Sequence, residues 1–312
     1  MNSSRYSTHV GLVCMAALWG ASWPWGRVVA QAMPPLAAAS LRFLLASAVL
    51  LLWLYRSGHM GGLRVLSIRQ WAGLGCASAV GVLGYSIFFL LALQTVPAGK
   101  AAMVVAFNPV LTLLFAVLLF REAVNWVMCT GVVLAVAGAL YALSGGAVAG
   151  LHAGPSGAGE LLLLGCAACW VGYTLIGRMV LATVDALTTA TATAVMGAVL
   201  LLGASMALEG PAAWGHLADA PAAAWYSIFA LALGATALAY AWYLNGVKVL
   251  GAGSAAAYMS LVPLFGMVFS SLWLAEPFTA SLLTGGALAI LGMLLMHLGR
   301  RQLMESSKRA PP

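Results

Sequence analysis

The residues in this chain whose types and spacing suggest chemistry point to recognition rather than bond making. Trp19, Ser22 and Trp23 stand at helical intervals, as do Tyr85 with Phe89, Trp170 with Tyr173, and Thr236 with Tyr240 and Tyr243. Spacings of three, four and seven place each set on one helix face. A buried indole N–H or phenol hydroxyl needs a partner, so these faces should turn away from hydrocarbon. For any single residue, ordinary helix packing is the simpler use. The set as a whole, with Tyr258, is expected to wall a cavity that binds a small organic solute. Two prolines add a second signal. Pro109, preceded by Asn108, and Pro263 fall inside apolar segments. A helix-interior proline frees the carbonyl four residues earlier, here Val105 and Met259. Within a membrane such a carbonyl must meet protein, water or ligand. A supported kink and a cavity-lining break both remain open, and Asn108 tips the first site toward the cavity.

Catalytic machinery is not expected. The seven Asp and Glu fall at segment ends or in connections, and so do the five His. Facing acids at depth, or a histidine within reach of a nucleophile, would be needed for an intramembrane enzyme. Cys166 and Cys169 have metal-pair spacing but lie in an apolar helix without a second pair, so they read as packing residues. No cofactor and no metal is expected. Arg42 is the one charge set slightly into a segment. Snorkelling to the nearer surface, or a structural pairing, is the favoured reading; orienting a substrate carboxylate is the other.

The elements that must position these residues follow from composition. The chain is 63% hydrophobic and 7% charged, whereas soluble domains are about 45–50% apolar and about 25% charged. Ten apolar blocks approach the roughly 20 residues a bilayer core requires: 10–30, 36–55, 71–93, 98–120, 126–143, 159–180, 186–208, 225–247, 254–274 and 281–298. The first reads as an uncleaved helix rather than a signal peptide. The expected fold is an all-α integral membrane protein of ten transmembrane helices. Of the 14 Lys and Arg, eleven fall on the side that carries both termini, and only Arg27 and Lys100 on the other. Both termini are therefore expected in the cytoplasm. This asymmetry accounts for the net charge of +7, so no nucleic-acid partner is implied.

The blocks repeat. Trp19, Gly26, Arg27 and Leu36 recur 151 residues on as Trp170, Gly177, Arg178 and Leu187. Gly99, Pro109, Glu122, Gly131 and Gly138 recur 154 residues on as Gly253, Pro263, Glu276, Gly285 and Gly292. Each half, 1–150 and 151–312, holds five helices. An odd number makes the second half enter from the opposite side, giving two inverted five-helix repeats, as in many secondary transporters. The glycine pairs spaced by seven should permit close packing of the fifth and tenth helices.

"LWGASWPWGRVV", "LRFLLA" at 41–46, and the paired "NPVLTLLFAVLLFRE" and "VPLFGMVFSSLWLAE" resemble the EamA-type members of the drug/metabolite transporter superfamily across residues 10–298. The resemblance implies a ten-helix exporter of small metabolites in the bacterial inner membrane, YddG-like amino-acid exporters being a prominent branch. The small multidrug pumps of that superfamily use a first-helix glutamate, which "VGLVCMAALWGASW" lacks. Proton antiport of cationic drugs is therefore disfavoured, and facilitated export of aromatic or other neutral amino acids by alternating access is expected. A carrier of nucleotide sugars or other phosphorylated metabolites is the second reading, weakened because Arg42 is its sole candidate cation; an intramembrane enzyme is a distant third. The expected partners are the substrate and the lipid bilayer; self-pairing into a homodimer is left open.

Overall fold

A computed structural model describes residues 2–120, 123–146, 155–180, 183–250 and 252–309, apart from some side chains at segment ends, among them Arg5, Arg178, Glu305, Lys308 and Arg309. Arg121, Glu122 and His152, used in the sequence reading, lie outside the described residues. Ten helical spans follow one another: α1 (Asn2–Ala32), α2 (Pro35–Arg56), α3 (Ile68–Thr95), α4 (Ala98–Phe115), α5 (Trp126–Leu143), α6 (Pro155–Val180), α7 (Ala186–Leu208), α8 (Ala222–Leu250), α9 (Ser254–Leu274) and α10 (Ala280–Arg309). Among the described residues, nine of these are long and apolar enough to cross a membrane by length and composition. The exception is α1, which opens on "NSSRYSTH". It packs against α3, α8 and α9, so protein rather than lipid covers much of it.

The packing pairs reveal the repeat. Helix α5 lies along α10, and α2 along α7, each against its own counterpart. Helix α1 packs on α8 as α6 packs on α3. Crossed pairing of this kind is what a two-fold axis in the membrane plane produces between inverted halves. The α5–α10 seam is set by its glycines. A Cβ built on Gly138 would stand 2.5 Å from the Gly285 carbonyl oxygen, and one on Gly285 would stand 2.5 Å from that of Gly138. Only hydrogen fits at either position, which lets the two backbones touch.

Two kinds of irregularity also recur. Helices α3 and α8 each contain a π-helical stretch, Ala79–Gly84 and Ala230–Leu238, beginning 151 residues apart. Helices α4 and α9 each contain a 3-10 stretch, Ala102–Ala106 and Tyr258–Leu261, just before the α-helical segments that hold Pro109 and Pro263. The 3-10 turns correct one expectation. The carbonyls of Val105 and Met259 are not orphaned, because backbone N–H groups at the end of each 3-10 stretch bond them. Tightening the helix to i→i+3 just before the proline re-supplies the donor that the ring removes.

The two ends of the bundle are built differently. At the end bearing the chain termini, α5 and α7 are capped locally: Asn125 accepts from the Met128 N–H and Asp185 from the Thr188 N–H, both at 2.9 Å. At the opposite end, α2 and α4 begin after Pro34 and Pro97, which carry no capping oxygen. Remote carboxylates serve instead. Glu209 accepts from the N–H groups of Leu36 and Ala37, both at 2.8 Å, and Glu276 from those of Ala98 at 2.7 Å and Gly99 at 2.8 Å. Each satisfies orphan donors at a positive helix end.

Candidate functional site

The aromatic faces converge near the two-fold axis. Trp19 and its repeat counterpart Trp170 meet edge to face at 6.2 Å between centroids. Trp19 also contacts Tyr240 at 5.8 Å and Tyr243 at 5.5 Å, while Trp170 contacts Tyr85 at 5.9 Å and Tyr173 at 6.2 Å. Two counterparts in contact place this cluster where the halves cross. Trp23 and Phe89, 5.2 Å apart, are each 2% exposed; Phe89 stands behind the cluster as support, and Trp23 shows one edge to the cavity. Tyr258 is elsewhere: its hydroxyl lies 2.5 Å from Nδ1 of His9, near the start of α1.

The irregular turns feed the same place. The Trp19 indole donates to the Ala235 carbonyl at 2.9 Å, within the π stretch of α8. Thr236, the next residue, spends its hydroxyl proton on the Leu231 carbonyl at 2.9 Å, five residues back. In α3 the π stretch brings Gly81 against Tyr173, leaving no room there for a Cβ. The sequence reading missed both stretches; Gly81, Gly84 and Gly234 were the only signal, and isolated glycines in apolar helices are common.

Of the two uses favoured for Arg42, snorkelling and a structural pairing, the side chain shows the pairing. Its guanidinium turns toward the axis, where Nη2 donates to Thr236 Oγ1 at 3.2 Å and the charge sits 5.2 Å from the Phe43 ring centroid. Nε is buried with no hydrogen-bond partner among the described residues. A second, smaller space beside Arg42 is walled by Val29, Ala38, Phe89 and Ile228. Asn108 Oδ1, also buried and unpartnered, lines the same cavity as Arg42, Trp19, Tyr85, Trp170 and Tyr240.

That cavity continues into a vestibule of about 940 Å³, its mouth included, which shares Val105, Asn108, Trp170 and Met259 with it. Pro109 and Tyr243 also line the vestibule, and Met128, His297 and Arg300 place its mouth at the terminal end. His297 was expected at a helix end, but α10 runs on to Arg309, so it stands in the vestibule wall. Pro263 is buried and borders neither space.

The opposite end is shut. Arg27 Nε lies 3.5 Å from Glu276 Oε1, and the same guanidinium donates to the carbonyls of Leu93, at 3.2 Å, and Val96. Lys100 meets Glu160 at 2.6 Å. Trp25 and Trp273 stack at 5.6 Å. Among the described carboxylates, those of Glu160, Asp185, Glu209, Asp219 and Glu276 all have partners at the bundle ends or in connections. None lines the cavity or vestibule.

A model of the EamA-like transporter family matches residues 7–144 and again 157–298. The Uncharacterized transporter YyaM of Bacillus subtilis is 25% identical over 287 residues, covering 92% of each chain. A protein of Streptantibioticus cattleyicolor, named "Probable terminal-alkyne amino-acid exporter", is 29% identical over 294 residues, covering 93% of this chain and 94% of that one. A solved crystal structure matches with a TM-score of 0.67 at 23% identity, covering 95% of this chain and 99% of its own; that likeness shows the fold.

Proposed function

The chain belongs to the EamA-like transporter family, and from that premise we propose that it exports amino acids with aromatic or other neutral side chains across the bacterial cytoplasmic membrane by alternating access. The single observation that carries this reading is the aromatic-walled cavity at the crossing of the repeats, open to one end and closed at the other. A bare ion needs oxygen ligands; stacked indole and phenol rings suit an organic solute with an apolar body and polar head. The amino-acid exporter among its relatives supports the same class. The Lys and Arg bias supports a vestibule that opens to the cytoplasm, which would leave the site as seen poised to load from inside. Solute moves when the opposite end opens and the vestibule closes, an exchange that two inverted halves can make by trading conformations. With no carboxylate at the cavity among the described residues, movement is read as facilitated rather than proton-driven.

The test is efflux from liposomes holding the purified protein and a mixture of common amino acids, with mass spectrometry against protein-free liposomes. Selective loss of neutral or aromatic amino acids without a pH gradient is the expected result. Retention of every amino acid by folded protein would remove the amino-acid reading while leaving the transporter family intact. A strict need for a pH gradient would remove the facilitated mechanism alone.

A further inference from the structure

We infer that Arg42 is a carboxylate anchor and that the transported solute supplies the counter-ion this guanidinium lacks. The ligand class is the zwitterionic α-amino acid with a free carboxylate, its ammonium group directed to Asn108 Oδ1. This rests on the amino-acid carrier reading above and deepens it.

A cation held inside a membrane protein is costly unless something neutralises it. Among the described residues Arg42 has one hydrogen-bond partner, the neutral hydroxyl of Thr236, with the Phe43 ring beside it. The phenols of Tyr85 and Tyr240 share its cavity wall, and no described carboxylate does. Because the Thr236 proton is already given to Leu231, that hydroxyl can only accept. The buried Nε has no acceptor among the described residues and is left for one that a solute brings. A carboxylate matches a guanidinium fork in shape and charge. Asn108 Oδ1 is an unpartnered acceptor on the wall of the same cavity. One unmet donor and one unmet acceptor, with Trp19, Tyr85, Trp170 and Tyr240 around them, describe an amphipathic zwitterion. Purely cationic solutes meet a like charge and, among the described residues, no acid. Phosphorylated solutes bring more negative charge than the one guanidinium at the inner cavity balances, Arg300 standing at the vestibule mouth.

The repeat makes the assignment sharper. The residue 151 positions after Arg42 is Thr193, whose hydroxyl donates to the Thr189 carbonyl at 2.9 Å and lies 3.5 Å from the Tyr173 hydroxyl. Symmetric packing alone would have no reason to place a guanidinium in one half and a hydroxyl in the other. A ligand with a single negative head gives one.

The experiment uses liposomes containing the full-length protein, loaded with neutral amino acids together with their carboxamides. Carboxamides keep the side chain and amine and remove the anion. Amino acids should leave at least about tenfold faster than the matching carboxamides, the worth of one charge-assisted contact. Arg42→Met should bring that ratio close to one, and Arg42→Lys, which keeps the charge without the fork, should retain part of it. If Arg42→Met does not fold, the wild-type ratio and Arg42→Lys still decide. Equal efflux of acids and carboxamides from the wild type would overturn the anchor and leave the carrier reading standing. Equal discrimination by wild type and Arg42→Met would do the same. Efflux of neither set would overturn the amino-acid reading, and the anchor with it.

Discussion

At the scale of single residues, contact with the axis separates walls from supports. Trp170 touches Trp19, Tyr85 and Tyr173 and lines both cavity and vestibule. Trp170→Ala is expected to cut transport roughly tenfold, the loss of several aromatic contacts to solute and neighbours, with membrane expression unchanged; efflux normalised to protein amount checks it. Tyr258→Phe should leave transport near wild type, because its hydroxyl is engaged with His9 away from the cluster. The helical spacings in the sequence were enough to gather Trp19, Trp23, Tyr85, Phe89, Trp170, Tyr173, Tyr240 and Tyr243, since period and polarity determine a face. They could not separate Phe89, which supports, from Tyr85, which lines, because both sit on one stripe. The sequence left Arg42 open between snorkelling, pairing and a substrate contact for a related reason. Distance from the membrane surface can be counted along a sequence, but the rotation that turns a side chain inward depends on what packs beside it.

At the scale of elements, the glycine seam and the remote caps make different demands. Gly138→Leu should destabilise by at least about 1–3 kcal/mol, since its side chain would be driven into the Gly285 backbone and overpacking has no relief there. Gly203→Ala in α7, with open space around it, should be neutral or stabilise by up to about 1 kcal/mol through helix propensity. Thermal unfolding in detergent distinguishes them. Glu276→Gln turns one acceptor of the α4 cap into a donor facing an N–H and weakens the partner of Arg27. A loss of roughly 1–3 kcal/mol is expected, together with faster thiol labelling of a cysteine placed at Ser22 by a reagent added from that end. The seam glycines were legible from their matched spacing. The caps were not, because Glu209 reaches Leu36 across 173 residues and no local pattern records it.

At the scale of the whole molecule, the ends differ in how their helices are held. Where the termini lie, Asp185 caps α7 within its own helix, so α7 can shift without losing its cap. Asn125 caps α5 while its amide also donates to the Gly299 carbonyl of α10 at 2.9 Å, so α5 can do so together with α10. At the other end the caps tie separate elements together, and opening must break them. A fluorescent protein that matures only in cytoplasm should glow when fused after Pro312, which tests the orientation taken from Lys and Arg. The ten-helix repeat was open to reading because a duplicated sequence keeps its offsets, 151 and 154, long after most residues have changed. The cavity's lopsidedness has a kinetic consequence. A scaffold whose halves trade places would by itself give the two faces equal affinity, but Arg42 belongs to one half and Thr193 to the other. Half-saturation should therefore differ between faces. In a carrier moving solute with no coupled ion, detailed balance then fixes the compensation: the face that fills at lower concentration must run at a proportionally lower maximal flux, so the carrier responds early on one side and has the larger capacity on the other.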